Sequence, residues 1–242
     1  MSTPGTKAAM GRVLLICNDS ASILQLTEGM RSFAIATEVC DQVSMALPLV
    51  TRQKFEAVIV DCGLGQTGEI LEQVRLSASN RTAVTFAITD PQNPSSLAIQ
   101  PNFVIEKPLS ESSVGRTLKA AFGLIVRERR RSFRCPVTIA AIVLSNGTET
   151  NCHLVNISEG GMAIAELPLL KAGAEVQVQF VLPGQRDCFT IQSQVCWYDE
   201  TGRAGLRSLV VPSEQKSVLQ EWLAAKLEED LPEAVASQFR KR

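Results

Sequence analysis

The chain has 242 residues, 45% of them hydrophobic, which suits two domains of ordinary size, each able to bury a core. Its 24 Lys+Arg against 25 Asp+Glu leave a formal net charge of −1, which argues against a general nucleic-acid binder with a broad basic surface. No run of about 18 apolar residues occurs and the start, MSTPGTKAAMGR, has no signal-peptide core, so neither a membrane span nor a secretory leader is expected, and the location expected is cytoplasmic.

Residues 1–11 read as a flexible N-terminus. Residues 12–126 then alternate strand-like and helix-like segments. VLLIC (13–17) is a short buried-strand run. Asp19 and Ser20 offer an N-cap for a helix reaching Phe33, with Ile23, Leu24, Leu26 and Met30 on one side. IATEVC (35–40) reads as a second strand, and DQVSMALPLVTRQ as a helix that Pro48 should disturb or end. AVIVD (57–61) is a third strand, with the helical GEILEQVRL after it. VTFAI (84–88) and FVIE (103–106) are two more strands. The Pro-, Asn- and Ser-rich stretch at 90–102 predicts a short or missing helix, and residues 110–126 an amphipathic one. Alternating βα units imply a doubly wound α/β parallel sheet, covered on both faces.

The segment RERRRSFR (127–134) places five arginines in eight positions and reads as a linker. From Cys135 the rhythm changes to period two. EVQVQFVL (175–182) puts Val176, Val178, Phe180 and Leu182 on one face. TIQSQVCW (190–197) puts Ile191, Val195 and Trp197 on one side, with Gln192 and Gln194 opposite. Turn signals NG, PG and TG separate the runs, which predicts a small antiparallel β-barrel over 135–228. It closes with a helix from about Ser213 to Glu228, whose stripe is Val218, Leu219, Trp222 and Leu223. Residues 229–242 read as a frayed tail. The seven cysteines form no CxxC pair and mostly sit in apolar runs, a reduced pattern. His153, the one histidine, has Cys152 beside it but no other ligand at metal spacing, so a structural strand residue is expected and no metal site.

Ligands and chemistry gather at the C-terminal edge of a parallel sheet. Asp61 ends its strand there, Thr89 follows the next, and Lys107-Pro108 follows the last. In this order and spacing, residues 12–126 resemble a response-regulator receiver domain, whose flavodoxin-like strand order is then expected. The resemblance implies Asp61 as phosphoacceptor, Thr89 as switch hydroxyl and Lys107 as the phosphate-contacting lysine. It also implies two Mg²⁺-holding carboxylates just after the first strand, where this chain has Cys17 and Asn18. Losing both charges should cripple a hard-cation site and, with it, conventional phosphorylation of Asp61. Asp19 is one residue on and is expected to cap the helix. A degenerate receiver used for docking or dimerisation is therefore expected.

Beyond the arginine segment lies NISEGG, a polar turn between the strands HLV and MAI. Arg130 and Arg134 followed by Asn156, Ser158 and Gly161 resemble the RxxxR and [D/N]xSxxG motifs of the PilZ domain, over about 127–224. Trp197 and Gly205 resemble its final hairpin, and Ser208 stands where the family usually has an aromatic residue. The resemblance implies a receptor for cyclic di-GMP. Its chemistry suits the residues: guanidinium pairs bidentately with guanine O6 and N7 or with phosphate, and its flat face stacks on a base. Asn156 and Ser158 would meet guanine or ribose edges, Gly161 would permit a tight backbone path, and Arg129 and Arg131 would add charge.

The reading is a bacterial-type two-domain signalling protein, with no enzyme motif and no cofactor. Cyclic di-GMP would clamp an otherwise mobile arginine linker onto the barrel, reorient the receiver-like domain and signal to an unidentified protein partner. Two alternatives stay open: a phosphorylation-responsive regulator with active Asp61, and a non-binding PilZ-fold adaptor.

Overall fold

The structure is a computed structural model that describes residues 9–92, 99–166 and 170–231. It divides into an N-terminal unit reaching Arg129 and a C-terminal unit, Arg130–Glu229.

The N-terminal unit is built on five parallel strands, β1 (Gly11–Ile16), β2 (Ile35–Cys40), β3 (Ala57–Asp61), β4 (Val84–Thr89) and β5 (Phe103–Glu106), in the order β2-β1-β3-β4-β5. This is the flavodoxin-like order. Every residue of β3 is buried, as an apolar run between two helical layers requires. The helices are α1 (Ser20–Ser32), α2 (Val43–Arg52), α3 (Thr67–Leu76) and α4 (Glu111–Ser132). Asp19 caps α1 by accepting the Ser22 N–H at 3.1 Å. Helix α2, expected to be disturbed at Pro48, runs through it. The hydrogen bond lost there would have ended on the carbonyl of Ser44, which lies in the exposed first turn where water can replace the donor, while Val43, Ala46 and Val50 hold the buried stripe. The expectation of a short or missing helix at 90–102 falls in part on 93–98, outside the described residues, as do residues 1–8 of the expected N-terminal arm and 232–242 of the expected tail.

Helix α4 differs from the sequence expectation. Instead of closing near Val126 it continues to Ser132, so most of the arginine segment is helical. Arginine is a good helix former, and the segment's charge is not left to itself. Glu128 is 5% exposed and accepts from Lys54 Nζ at 2.5 Å and from Thr82 Oγ1 at 2.8 Å. Arg129 Nη1 comes within 4.0 Å of Glu56 Oε1, another buried carboxylate. Glu56 lies far away in sequence, so part of the self-repulsion expected of a basic linker is offset by a carboxylate that the local sequence does not reveal.

The C-terminal unit is a closed antiparallel barrel of β6 (Cys135–Ser145), β7 (Thr148–Ser158), β8 (Gly161–Ala165), β9 (Glu175–Val181), β10 (Cys188–Tyr198) and β11 (Ala204–Val210), in the order β10-β11-β8-β7-β6-β9. Helix α5 (Ser213–Asp230) follows. Val176, Val178, Phe180 and Leu182 fill the interior, as their alternation predicts. Trp197 does not follow Ile191 and Val195 inward. The β10–β11 register shifts between Val195 and Trp197, which turns the indole outward to lie over Gly205, where any Cβ would collide with it. Leu219, Trp222, Leu223 and Leu227 form the buried stripe of α5, and Trp222 Nε1 donates to the Pro183 carbonyl at 3.1 Å. All seven cysteines are free thiols, and only Cys188 and Cys196 are exposed. His153 is a β7 residue paired with Glu166 at 2.7 Å.

Candidate functional site

The C-terminal edge of the parallel sheet brings Asp61 and Lys107 together. Lys107 Nζ donates to Asp61 Oδ2 at 2.7 Å, and the Gly63 N–H donates to Oδ1 at 2.9 Å. The backbone N–H of Lys107 bonds the Thr89 carbonyl at 2.8 Å, which sets the lysine beside the end of β4. Thr89 lies one residue beyond Ile88, the register partner of Asp61. Cys17, fully buried, points its thiol at Asp61 Oδ2 from 3.3 Å. Burial first, then the Asp61 carboxylate, pushes the Cys17 thiol up to about 11, against the lowering effect of a backbone contact at Asp19. Burial alone would lower Lys107, but its hydrogen bond to Asp61 and the attraction of that charge outweigh burial and raise it.

These residues do not fit a Mg²⁺ site. Cys17 remains a neutral thiol, Asn18 is exposed and carries no charge, and Asp19 is committed to the cap of α1. Asp61 is the one acid left of three, and its oxygens already accept from Lys107, Cys17 and Gly63. Mg²⁺ needs hard carboxylate and water oxygens in near-octahedral array. Among the described residues no cluster of three or more His, Cys, Asp or Glu could hold a metal ion. A cavity of about 440 Å³ opens beside Asp19, Ser22, Gln25, Asp90 and Lys107, and Asp61 is not in its walls.

In the barrel, strand register sets the two polar motifs side by side. Cys135 pairs with Ile157 and Pro136 with Asn156, so Arg134 enters β6 next to Ser158. Ser158 is 4% exposed and donates to the Gly161 carbonyl at 2.9 Å, closing the turn. A Cβ on Gly161 would strike the Leu206 carbonyl oxygen, so only glycine lets β8 lie this close to β11. The Ser208 N–H then bonds the Gly160 carbonyl at 3.0 Å, so Ser208 acts here through its backbone. Ser158 and Gly161 therefore build the turn. The groups that face outward are others. Arg131 and Arg134 are exposed, Arg130 is half-buried, and Arg129 turns to Glu56. The Asn156 Oδ1 is buried with no hydrogen-bond partner among the described residues, a polar atom left unsatisfied.

Arg131, Glu159 and Gly160 line one cavity of about 330 Å³ with Lys216, Leu219 and Gln220 of α5. The contribution of α5 carries no signal in the sequence beyond an ordinary polar helix face. A larger cavity of about 600 Å³ on the barrel, bounded by Ala140, Ile142, His153, Gln179 and Val181, has no Arg or Lys in its walls and does not suit an anionic ligand.

Residues 128–225 match the family model described as PilZ domain. Among solved structures, the chain is similar to the receiver domain of a sensor histidine kinase from Pseudomonas aeruginosa, at 19% identity and a TM-score of 0.43, over 48% of this chain and 99% of that one. It is similar to the PilZ domain of CeSA from a cellulose-synthesizing bacterium, at 18% identity and a TM-score of 0.33, over 39% of this chain and 97% of that one. It is also similar to the PlzA protein of Borreliella burgdorferi, solved in complex with c-di-GMP, at 13% identity and a TM-score of 0.32, over 48% of this chain and 50% of that one. No curated protein matches the chain significantly.

Proposed function

From a PilZ domain at residues 128–225, preceded by a receiver-like α/β unit, we propose a receptor that binds cyclic di-GMP at the barrel and relays its presence to a protein partner. The observation that carries this reading is the β6–β7 register, which sets Arg134 beside Ser158 and two strand residues from Asn156, whose Oδ1 is unsatisfied. Arg134 and Arg130 take guanine edges and phosphates, and Arg131 adds positive charge. Asn156 completes its hydrogen bonding on the ligand, since a buried oxygen without a donor is an energetic cost that a bound amine or hydroxyl removes. Ser158 and Gly161 hold the turn in shape. The arginine segment belongs both to α4 and to the ligand site, and ligand capture of Arg130 and Arg134 repositions this segment as the signal.

The receiver-like unit serves in this reading without phosphorylation, as a docking or dimerisation module. The support is the poor fit of Cys17, Asn18 and the occupied Asp61 to Mg²⁺.

Calorimetric titration of cyclic di-GMP into the wild type and Arg134→Ala tests the ligand assignment. Loss of one bidentate charged contact, about 2–3 kcal/mol, weakens binding roughly 30- to 100-fold. Equal affinity of the two proteins removes Arg134, and with it the register argument, from the site.

A further inference from the structure

The cavity next to the NISEGG turn is not walled by the two motifs alone. Its far side is α5: Lys216 in the first turn of the helix, then Leu219 and Gln220 one turn on. Three segments distant in sequence thus meet there: the end of α4, the β7–β8 turn and the C-terminal helix.

The electrostatics of this space are uneven. Glu159 is its one carboxylate, and Gln220 Nε2 donates to Glu159 Oε2 at 3.4 Å, near the limit of a hydrogen bond. The two cations in the wall, Arg131 and Lys216, are both exposed, and among the described residues neither side chain has an ion pair or a hydrogen bond. Two cations without ion-pair partners against one carboxylate leave this small cavity with an excess of positive charge, which favours an anionic occupant. The volume lies at the low end for small-molecule sites, enough for part of a dinucleotide. Gly160 presents open space where a side chain would stand, so the turn does not close the cavity from its side.

We infer that α5 is the third wall of the ligand site, with Lys216 binding a phosphate of the cyclic dinucleotide and the Gln220–Glu159 contact tying the helix to the ligand-bearing turn. This rests on the ligand reading given above and extends it to an element outside both motifs. Lys216 acts as a phosphate-contacting residue. Gln220, which also lines the cavity, acts as a positioning residue through its contact with Glu159. The weak Gln220–Glu159 contact is readily exchanged when a ligand enters, so occupancy of the turn is felt by α5.

The test is a calorimetric titration of the full chain with cyclic di-GMP at low and moderate salt, for the wild type, Lys216→Met and Lys226→Met, with amide hydrogen exchange over 213–223. Lys216 is exposed, so its variant keeps the fold. Lys226, on the same helix, is paired with Glu229 and serves as the control. The expected result is a loss of roughly tenfold in affinity for Lys216→Met, with a shallower salt dependence, and no change for Lys226→Met. Ligand should also slow exchange in the first turns of α5 in the wild type. Tight wild-type binding with equal affinity in Lys216→Met, and no protection of α5, overturns the inference while leaving the ligand reading intact. No binding by the wild type overturns both.

Discussion

Glu128 is the acid inside the arginine segment, and its replacement tests why that segment is helical. The carboxylate is 5% exposed and is shared by Lys54 and Thr82. Glu128→Ala strands a lysine and a hydroxyl. Breaking a fully buried ion pair costs about 3–5 kcal/mol, but the Lys54 side chain is 27% exposed and can recover water, so about 2 kcal/mol is expected. Glu128→Gln keeps an acceptor for Thr82 and should cost about half of that. Because two units can unfold separately, a single melting curve is a poor readout, and native-state hydrogen exchange at 127–132 is the better one. A loss of about 2 kcal/mol there is roughly a 30-fold rise in opening. Lys54→Met together with Glu128→Ala should cost less than the sum of the two single changes, since both remove one interaction. Exchange in Glu128→Ala within about twofold of wild type, in a folded protein, would refute the idea that this carboxylate holds the end of α4.

Three further outcomes are expected. Thiolate is the reactive form of cysteine, and a thiol raised to about 11 is almost wholly protonated at pH 8, so iodoacetamide should label Cys188 and Cys196 and spare Cys17 in the folded protein; the contribution of Cys17 to stability is complete below the ordinary thiol value of 9.0 and fades as pH rises toward 11. Rapid Cys17 labelling at pH 8 without unfolding would contradict the buried thiol. Beryllofluoride with Mg²⁺ should leave the NMR signals around Asp61 unmoved in the wild type, whereas Cys17→Asp with Asn18→Asp should introduce Mg²⁺-dependent shifts; saturable shifts in the wild type, absent in Asp61→Asn, would restore the phosphorylation reading. Gly161→Ala forces a methyl group against the Leu206 carbonyl and should destabilise the barrel by about 2–3 kcal/mol in urea unfolding, while Gly160→Ala, whose Cβ meets nothing within 4 Å, should be near neutral; equal effects would mean that Gly161 is not a packing glycine.

Period and order carried most of the fold. Alternating βα runs located all five strands of the sheet, and the period-two pattern of Val176, Val178 and Phe180 located the barrel interior. What failed were features decided by distant residues. The end of α4 is held by Lys54, Thr82 and Glu56, none of which is near it in sequence. The outward turn of Trp197 follows from a register shift and a glycine on the next strand, and alternation alone pointed it inward. Within the candidate site, Asn156 and Arg134 were legible from motif spacing, as was the role of Asp19 as a cap. The inward use of the Ser158 hydroxyl was not, because a serine in a turn serves equally well as a ligand contact or as a brace. Lys216 was invisible as well: a lysine on the polar face of an amphipathic helix looks the same whether it faces bulk water or a cavity.

Calorimetric titration of wild-type protein with cyclic di-GMP, beside cyclic di-AMP and GTP, tests the central claim most directly. Arginines that read guanine edges and the two phosphates of a cyclic ligand should give saturable binding of cyclic di-GMP and at least tenfold weaker binding of the other two. Saturable binding of all three with equal affinity would reduce the arginine segment to a general anion surface, and no binding of any would leave the barrel a protein-interaction module.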